Sequence, residues 1–282
     1  MFTQRSTLYV VATPIGNLND ISQRAAAVLA DVDLIACEDT RHSQRLLDHL
    51  QIKKPLRPYH EHSEGNAEQS LLESLAAGQS IALISDAGTP LIADPGFRLV
   101  QRARAEGFDV VTVPGPCAAI AALSVAGLPS DQFRFCGFLP ARGSARQKIL
   151  EQLADDRATL IFYEAPHRIV ESLQAMAAVW GGDRRAAIGR ELTKTFETLL
   201  DGSLAELAVR VESDRDQQRG EIVVVVAGKP EQQSDSVEQQ RVLTILLREL
   251  PLKRAAAVAA QLLGGDKRSY YQLGLNLRQE QD

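Results

Sequence analysis

The sequence predicts an α/β protein: two successive α/β domains followed by a small C-terminal helical bundle. Three observations predict it. Short β-branched runs alternate with amphipathic stretches, the alternation resumes after an Ala-rich stretch near residue 118, and beyond a Gln- and Ser-rich segment at 229–240 only helical patterns remain. At 282 residues and 45% hydrophobic, the chain has apolar surface for about two cores without covalent staples.

In chain order, "LYVVAT", "DLIAC", "SIALIS" and "FDVVTVP" read as strands, separated by the helical stretches "ISQRAAAVLADV", "RHSQRLLDHL" and "DPGFRLVQRARAEG". Such spacing requires crossover connections, hence a largely parallel sheet in a first domain at 1–118. "PGPCAAIAALSVAGLP" is a small-residue helix with a proline-glycine entry. It joins a second domain at 119–229, whose strands are "FRFCGFLP", "ATLIFYEA", "RAAIGREL" and "GEIVVVVAG", with a hairpin or meander expected from Glu191 to Asp201. "KPEQQSDSVEQQ" has Val237 as its one aliphatic residue, which is linker composition, placed at 230–240. "RVLTILLREL", "PLKRAAAVAAQLLG" and "DKRSYYQLGLNL" then read as three short helices at 241–282, with Pro251 opening the second and Gly264-Gly265 ending it.

Charge is uneven. The chain carries a formal −5, but from Arg241 onward seven Lys/Arg stand against four acids, a local +3. A helix-turn-helix-like bundle with that excess suits a nucleic-acid contact through Lys253, Arg254, Lys267 and Arg268; the alternative is a solvated cap that packs on a neighbour. Cys37, Cys117 and Cys136 have no C-x-x-C spacing, which favours a reducing compartment, the cytoplasm. The apolar run in "MFTQRSTLYVVATPIGN" is too short for a signal-peptide core, and no later segment is long enough to span a bilayer, so no membrane contact is expected.

In a parallel sheet, ligands bind at the carboxyl ends of the strands. Four strand-to-helix loops there are rich in residues that bring backbone close to a ligand: "TPIGNLND", "CEDTRHS", "SDAGTPLIADPG" and "VPGPCA". Neither G-x-G-x-x-G nor G-x-x-x-x-G-K-[ST] occurs, and the loops hold few cations. That composition suits a ligand without a polyphosphate, such as one made of an adenosine and an amino-acid moiety.

"VATPIGNLNDIS", "ACEDTRHS", "YHEHSE", "LISDAGTPLIADPG", "VPGPCA", "FYEAPHR" and "GRELTKTFE", in order from about Leu8 to Gly228, resemble the tetrapyrrole-methylase-like class of S-adenosylmethionine-dependent methyltransferases. More closely they resemble the bacterial ribosomal small subunit methyltransferase I family, which methylates the ribose 2′-oxygen of a cytidine in 16S ribosomal RNA. The resemblance implies two α/β domains with S-adenosyl-L-methionine in the cleft between them, a homodimer, and the assembled 30S subunit as substrate. It places cofactor contacts at Pro14, Asp86, Ala87, Gly88, Leu91, Cys117, Ala118, Tyr163 and Leu192, mostly through backbone atoms. Cys117 departs from the serine the pattern leads one to expect, which puts a catalytic hydroxyl there in doubt.

Methyl transfer to a ribose hydroxyl needs alignment and removal of a poorly acidic proton. Glu38, Arg41 and His62 are the catalytic candidates. Asp39 could instead cap the following helix with Arg41 satisfying it, whereas Glu38 comes too early for a cap and needs a partner. In "YHEHSE", His60 and His62 share one side of an extended segment, a pattern that meets RNA phosphate more readily than metal, and no metal is expected. "KKPLRPYH" sets Lys53, Lys54 and Arg57 beside an aromatic, the mixture that binds phosphates and stacks bases. In "FYEAPHR", His167 and Arg168 are RNA-facing candidates, although Glu164 could compensate Arg168 across the turn. Asp94 reads as a helix N-cap ahead of a helical proline, and Asp86 as part of the site. Two rival readings remain: a tetrapyrrole C-methyltransferase on the same fold, and a cofactor-binding RNA factor without turnover.

Overall fold

The computed structural model describes residues 6–60, 64–230 and 233–279. It divides into two compact units, Met1–Gly228 and Lys229–Asp282.

The larger unit holds two five-stranded sheets. The first is built from β1 (Thr7–Val11), β2 (Leu34–Cys37), β3 (Leu56–Pro58), β4 (Ile81–Ile84) and β5 (Asp109–Val113), in the order β3-β2-β4-β1-β5. Every pairing is parallel. The crossovers α1 (Gln23–Asp31), α2 (Thr40–His49), α3 (Glu64–Ala76) and α4 (Phe97–Ala105) cover both faces. Hence "LIAC" of β2 and "IALI" of β4 are buried at every position, as central strands covered on both sides must be. Val28, Leu29 and Leu47 pack on one face, Leu71, Leu75 and Leu99 on the other. Insertion of β4 between β2 and β1 sets the carboxyl ends of β1 and β4 side by side, a topological switch point.

The second sheet contains β6 (Phe133–Phe138), β7 (Thr159–Glu164), β8 (Arg185–Arg190), β9 (Thr198–Ser203) and β10 (Ile222–Val226), ordered β6-β7-β10-β8-β9. It is mixed: β6 and β7 are parallel, β10 runs antiparallel to both neighbours, and β8 with β9 forms the expected hairpin. α6 (Gly143–Gln152), α7 (Ile169–Trp180) and α8 (Leu204–Ser213) are its other helices, with Leu150, Met176, Trp180 and Leu207 packed around Phe162 and Val224 on one face. The other face, Ile161, Ala187, Val223 and Val225, is covered by α5 (Ala118–Val125) through Ala119, Ala122 and Leu123. The small residues of α5 let the helix lie close to that sheet.

The smaller unit holds α9 (Gln233–Glu249), α10 (Leu252–Leu263) and α11 (Lys267–Gln279), around Leu243, Ala255, Ala259 and Tyr270. The segment 230–240 is therefore mostly not a linker. Its glutamines and glutamate are good helix formers, and a helix whose first turns need no apolar stripe is invisible to a reading based on aliphatic spacing. Pro251 sits at the N-cap of α10 and Gly264, at φ 73°, ends it.

Candidate functional site

The loop after β4 is the hub to which the other strand-end loops are tied. Gly88 and Thr13 exchange backbone hydrogen bonds of 2.8 and 3.1 Å, and the Thr13 hydroxyl donates to the Ser85 carbonyl at 3.2 Å. The Thr89 hydroxyl donates to the Pro116 carbonyl at 2.9 Å, bringing in the loop after β5. The Asp39 amide donates to Asp86 Oδ1 at 3.0 Å, bringing in the loop after β2. The irregular backbone of 85–96 includes Leu91 at φ 73° and Ala93 at φ 66°, conformations that L-residues hold only when their surroundings over-determine them.

Asp94 does not cap α4. Gly96 does, at φ 131°, where an added Cβ would lie 2.8 Å from Leu83 Cδ2, so only glycine enters the helix there. Asp94 instead turns inward beside Ser85. Burial pushes its carboxyl up to about 6, opposed by the Ser85 hydrogen bond and helped by the neighbouring charges of Glu38 and Asp86.

Two cavities adjoin across Ile15, Ala87 and Glu221, which line both. The first, of about 300 Å³, is walled by Gly88, Thr89, Ile92 and Asp94 from the hub loop, and by Phe138 and Tyr163 from the second sheet. Tyr163 stacks edge-on against Phe135 and Phe138, with centroids 4.9 and 5.7 Å away, and its hydroxyl accepts from the Ala119 amide at 3.2 Å. Burial pushes the phenol well above its ordinary value, so it remains neutral. The second cavity, also about 300 Å³, lies between Pro14 and Gly16 of the loop after β1, Asp86, His42 and Arg45 of α2, and Lys194 of the β8–β9 loop.

Of the expected cofactor residues, Ala87, Gly88, Ala118 and Tyr163 line the first cavity, and Pro14, Asp86 and Ala87 the second. Leu91, Cys117 and Leu192 line neither. Leu91 packs on the first sheet's core, Cys117 is the N-cap of α5 with no side-chain capping bond and its thiol is hydrogen-bonded with Tyr163, and Leu192 lies against Gly189. Glu38 is half-buried and close enough to Asp94 to act on its charge. Arg41 is spent on Asp39, at 2.8 Å, and Asp39 does cap α2, so the capping alternative holds for that pair. His62 lies outside the described residues.

The expected RNA-facing set divides. Lys53, His60 and His167 are exposed, as are Lys253, Arg254, Lys267 and Arg268 in the smaller unit. Lys54 is half-buried, its ammonium reaching the Asp31 carbonyl at 3.5 Å. Arg57 is a correction. Its guanidinium donates to the Ser70 and Ser74 hydroxyls at 3.0 and 3.2 Å, pinning α3 to β3, and the adjacent Tyr59 is fully buried, so it offers no base a stacking face. Arg168 is another: it pairs with buried Glu164 at 2.7 Å. Side-chain direction decided both, from edge strand β3 for Arg57 and from the turn after β7 for Arg168, and local composition does not carry it.

The sequence reading missed Ile15, Thr89, Asp94, Phe138 and Glu221 as lining residues, whereas Lys194 stands in "GRELTKTFE", which offered a charged cleft wall beside a strand-edge salt-bridge ladder. Ile15, Thr89 and Asp94 stand inside quoted motifs, where the signal was available; Phe138 and Glu221 arrive only through the pairing of the second sheet.

The cavity lining fits an adenosyl-amino-acid ligand: apolar and aromatic faces for a base, exposed backbone at Ala87, and a carboxylate, Asp94, for a cationic group. Among the described residues no group of three or more His, Cys, Asp and Glu is placed to hold a metal, and no helix is long and apolar enough to cross a membrane.

Residues 7–208 match the family of tetrapyrrole (corrin/porphyrin) methylases, and residues 233–278 match the RsmI C-terminal HTH domain. The chain is 57% identical to ribosomal RNA small subunit methyltransferase I of Pseudomonas aeruginosa, covering 95% of this chain and 96% of that one. It is 49% identical to the protein of the same name from Escherichia coli O157:H7, covering 95% and 94%. Among solved structures, cobalt precorrin-4 methyltransferase CbiF aligns at TM-score 0.60 and 15% identity, covering 78% of this chain and 94% of that one. Uroporphyrin-III-C-methyltransferase from Thermus thermophilus aligns at TM-score 0.57 and 20% identity, covering 79% and 94%. Those two likenesses speak to the fold. From the loops tied at Gly88 to the matched C-terminal helices, the chain belongs to the ribosomal RNA small subunit methyltransferase I family of the tetrapyrrole methylases.

Proposed function

We propose that the chain is an S-adenosyl-L-methionine-dependent methyltransferase that methylates the ribose 2′-oxygen of a cytidine in 16S ribosomal RNA, within the 30S subunit, in the cytoplasm. The observation that carries this reading over a tetrapyrrole substrate is that family likeness runs on through residues 233–278, the helical unit with its excess of cations.

When bound, the cofactor supplies a methyl group already activated as an electrophile. What falls to the protein is binding, orientation and the proton. Ala87 and Gly88 offer close backbone, Tyr163 and Phe138 an aromatic wall, and Asp94 a carboxylate in mostly apolar surroundings. Asp94 with Glu38 behind it is the acid–base candidate for the 2′-hydroxyl proton, since a carboxylate near 6 is poised for such a transfer near neutral pH. Arg41, held by Asp39 at the surface, is not assigned this role. A homodimer is part of the reading, supported by Ile120 and Val125 of α5, both 49% exposed.

The test is incubation with labelled S-adenosyl-L-methionine and unmodified 30S subunits. Label on the 2′-oxygen of a cytidine is expected. In a parallel incubation with uroporphyrinogen in place of the subunits, label in the porphyrinoid instead supports the C-methyltransferase rival, and cofactor binding without transfer in either supports the non-catalytic one.

A further inference from the structure

The two adjoining cavities differ in chemistry. No basic side chain among the described residues lines the first, whereas the second has three: His42, Arg45 and Lys194. His42 and Arg45 stand three residues apart on α2 and so share one face of the helix. Both are exposed, and neither side chain has an ion-pair partner among the described residues, so the five guanidinium donors of Arg45 are free to meet two oxygens of one anion.

Lys194 is different in kind: it is built into place. Its ammonium lies 2.8 Å from Glu191 Oε1 and 3.1 Å from Glu221 Oε2, which leaves one of its three donors uncommitted. Burial draws its proton affinity down, but the hydrogen bonds to Glu191 and Glu221 outweigh it and hold the group charged. Its stem crosses directly over Gly16, where a Cβ would come within 2.4 Å of Lys194 Cγ. Glu191 occupies the space above Gly220, where a Cβ would meet its Cδ at 2.5 Å, and the loop holds Glu191 and Thr193 at φ 50° and 67°. Two glycines, two carboxylates and two strained residues thus fix one cation beside Glu221, at the wall shared by the two cavities.

We infer that the second cavity is the seat of the target ribonucleotide, with Arg45 and His42 binding its phosphodiester and Lys194 positioning the nucleotide against the cofactor cavity. The inference rests on the RNA reading above. A phosphate is the chemical class that matches a planar fork and an imidazole on one helix face, and the partition places its sugar next to the methyl donor.

The test uses the full chain loaded with S-adenosylhomocysteine, and a short fluorescein-labelled, cytidine-containing oligoribonucleotide read by anisotropy over a range of salt. For His42→Ala/Arg45→Ala, affinity is expected to fall roughly tenfold and the slope of log K against log salt to shrink by about 0.7 for each phosphate no longer neutralised. Arg45→Lys should restore the slope, and Arg104→Ala, an exposed cation on α4, should leave it unchanged. Cofactor affinity by calorimetry should stay at the unchanged chain's value. An unaltered slope, an equal loss with Arg104→Ala, parallel loss of cofactor binding, or no salt-sensitive binding by the unchanged chain would each overturn the assignment. Failure of methyl transfer to 30S subunits would instead overturn the functional reading, and the salt slopes decide the phosphate site independently of it.

Discussion

Arg168 Nη2 stands 2.7 Å from Glu164 Oε1 where β7 gives way to α7, and the Glu164 side chain is only 1% exposed. The same carboxylate accepts from the Ser172 hydroxyl at 2.6 Å and from the Ala165 amide at 2.8 Å, so one cation neutralises the buried charge and two neutral donors help to solvate it. Arg168→Ala would leave that charge without its cation, at an expected cost of about 3–5 kcal/mol. Urea unfolding measures the loss. RNA affinity of the folded fraction should not change, and a variant of normal stability with weakened RNA binding would return Arg168 to the interface.

Asp94 makes stability depend on pH in the direction opposite to a salt-bridged acid. Its carboxyl is raised from 3.8 to about 6, so between those values the folded chain keeps a proton that the unfolded chain has released. Stability therefore falls as pH rises through this window, and the full penalty, about 1–2 kcal/mol after allowance for solvent screening, is present above it. Asp94→Asn should abolish that slope and raise the unfolding midpoint at pH 7, while methyl transfer drops by about 10²-fold or more if Asp94 takes the proton. Thermal melts from pH 4 to 8 beside single-turnover transfer would separate the two effects.

Gly16→Ala places a methyl group where Lys194 now passes, 2.4 Å from its Cγ. The lysine must swing away from Glu221, which is a local change at a half-buried side chain. Transfer to RNA should fall about tenfold, with an unfolding free energy altered by less than about 1 kcal/mol. Steady-state rates and denaturant midpoints on the same preparation check both halves.

Truncation after Gly228 removes a unit that has its own small core around Leu243, Ala255 and Tyr270. The remaining chain should fold, bind S-adenosyl-L-methionine as before, and capture 30S subunits more weakly. Calorimetry showing cofactor binding lost with those residues would make the helical unit structural.

Much of this was legible in the residues themselves. The parallel first sheet follows from continuous apolar runs at crossover spacing, and the hub loop from the turn-formers packed behind "SIALI". The mixed second sheet was less so. β10 inserts antiparallel between β7 and β8, a pairing between strands far apart in the chain that no local pattern records. The same distance hid the partition, because Glu221 meets Lys194 only once β8 and β10 are aligned. Asp94 and Arg57 were misread for a different reason. Each sits in a sequence context typical of one role, a cap or a basic patch, while its side chain is turned to hydroxyls supplied by Ser85 or by Ser70 and Ser74.

Four of the five non-glycine residues with positive φ among those described, Leu91, Ala93, Glu191 and Thr193, fall in the loop after β4 and the loop that carries Lys194. Substitution tolerance in these loops should follow backbone handedness rather than polarity or size. At Ala93 and Thr193, asparagine or glycine should be accepted more readily than valine or isoleucine, although the latter match the native bulk more closely at Thr193. A saturation library scored for folding would then show these positions as a chirality filter, a kind of constraint that a hydrophobicity profile does not register.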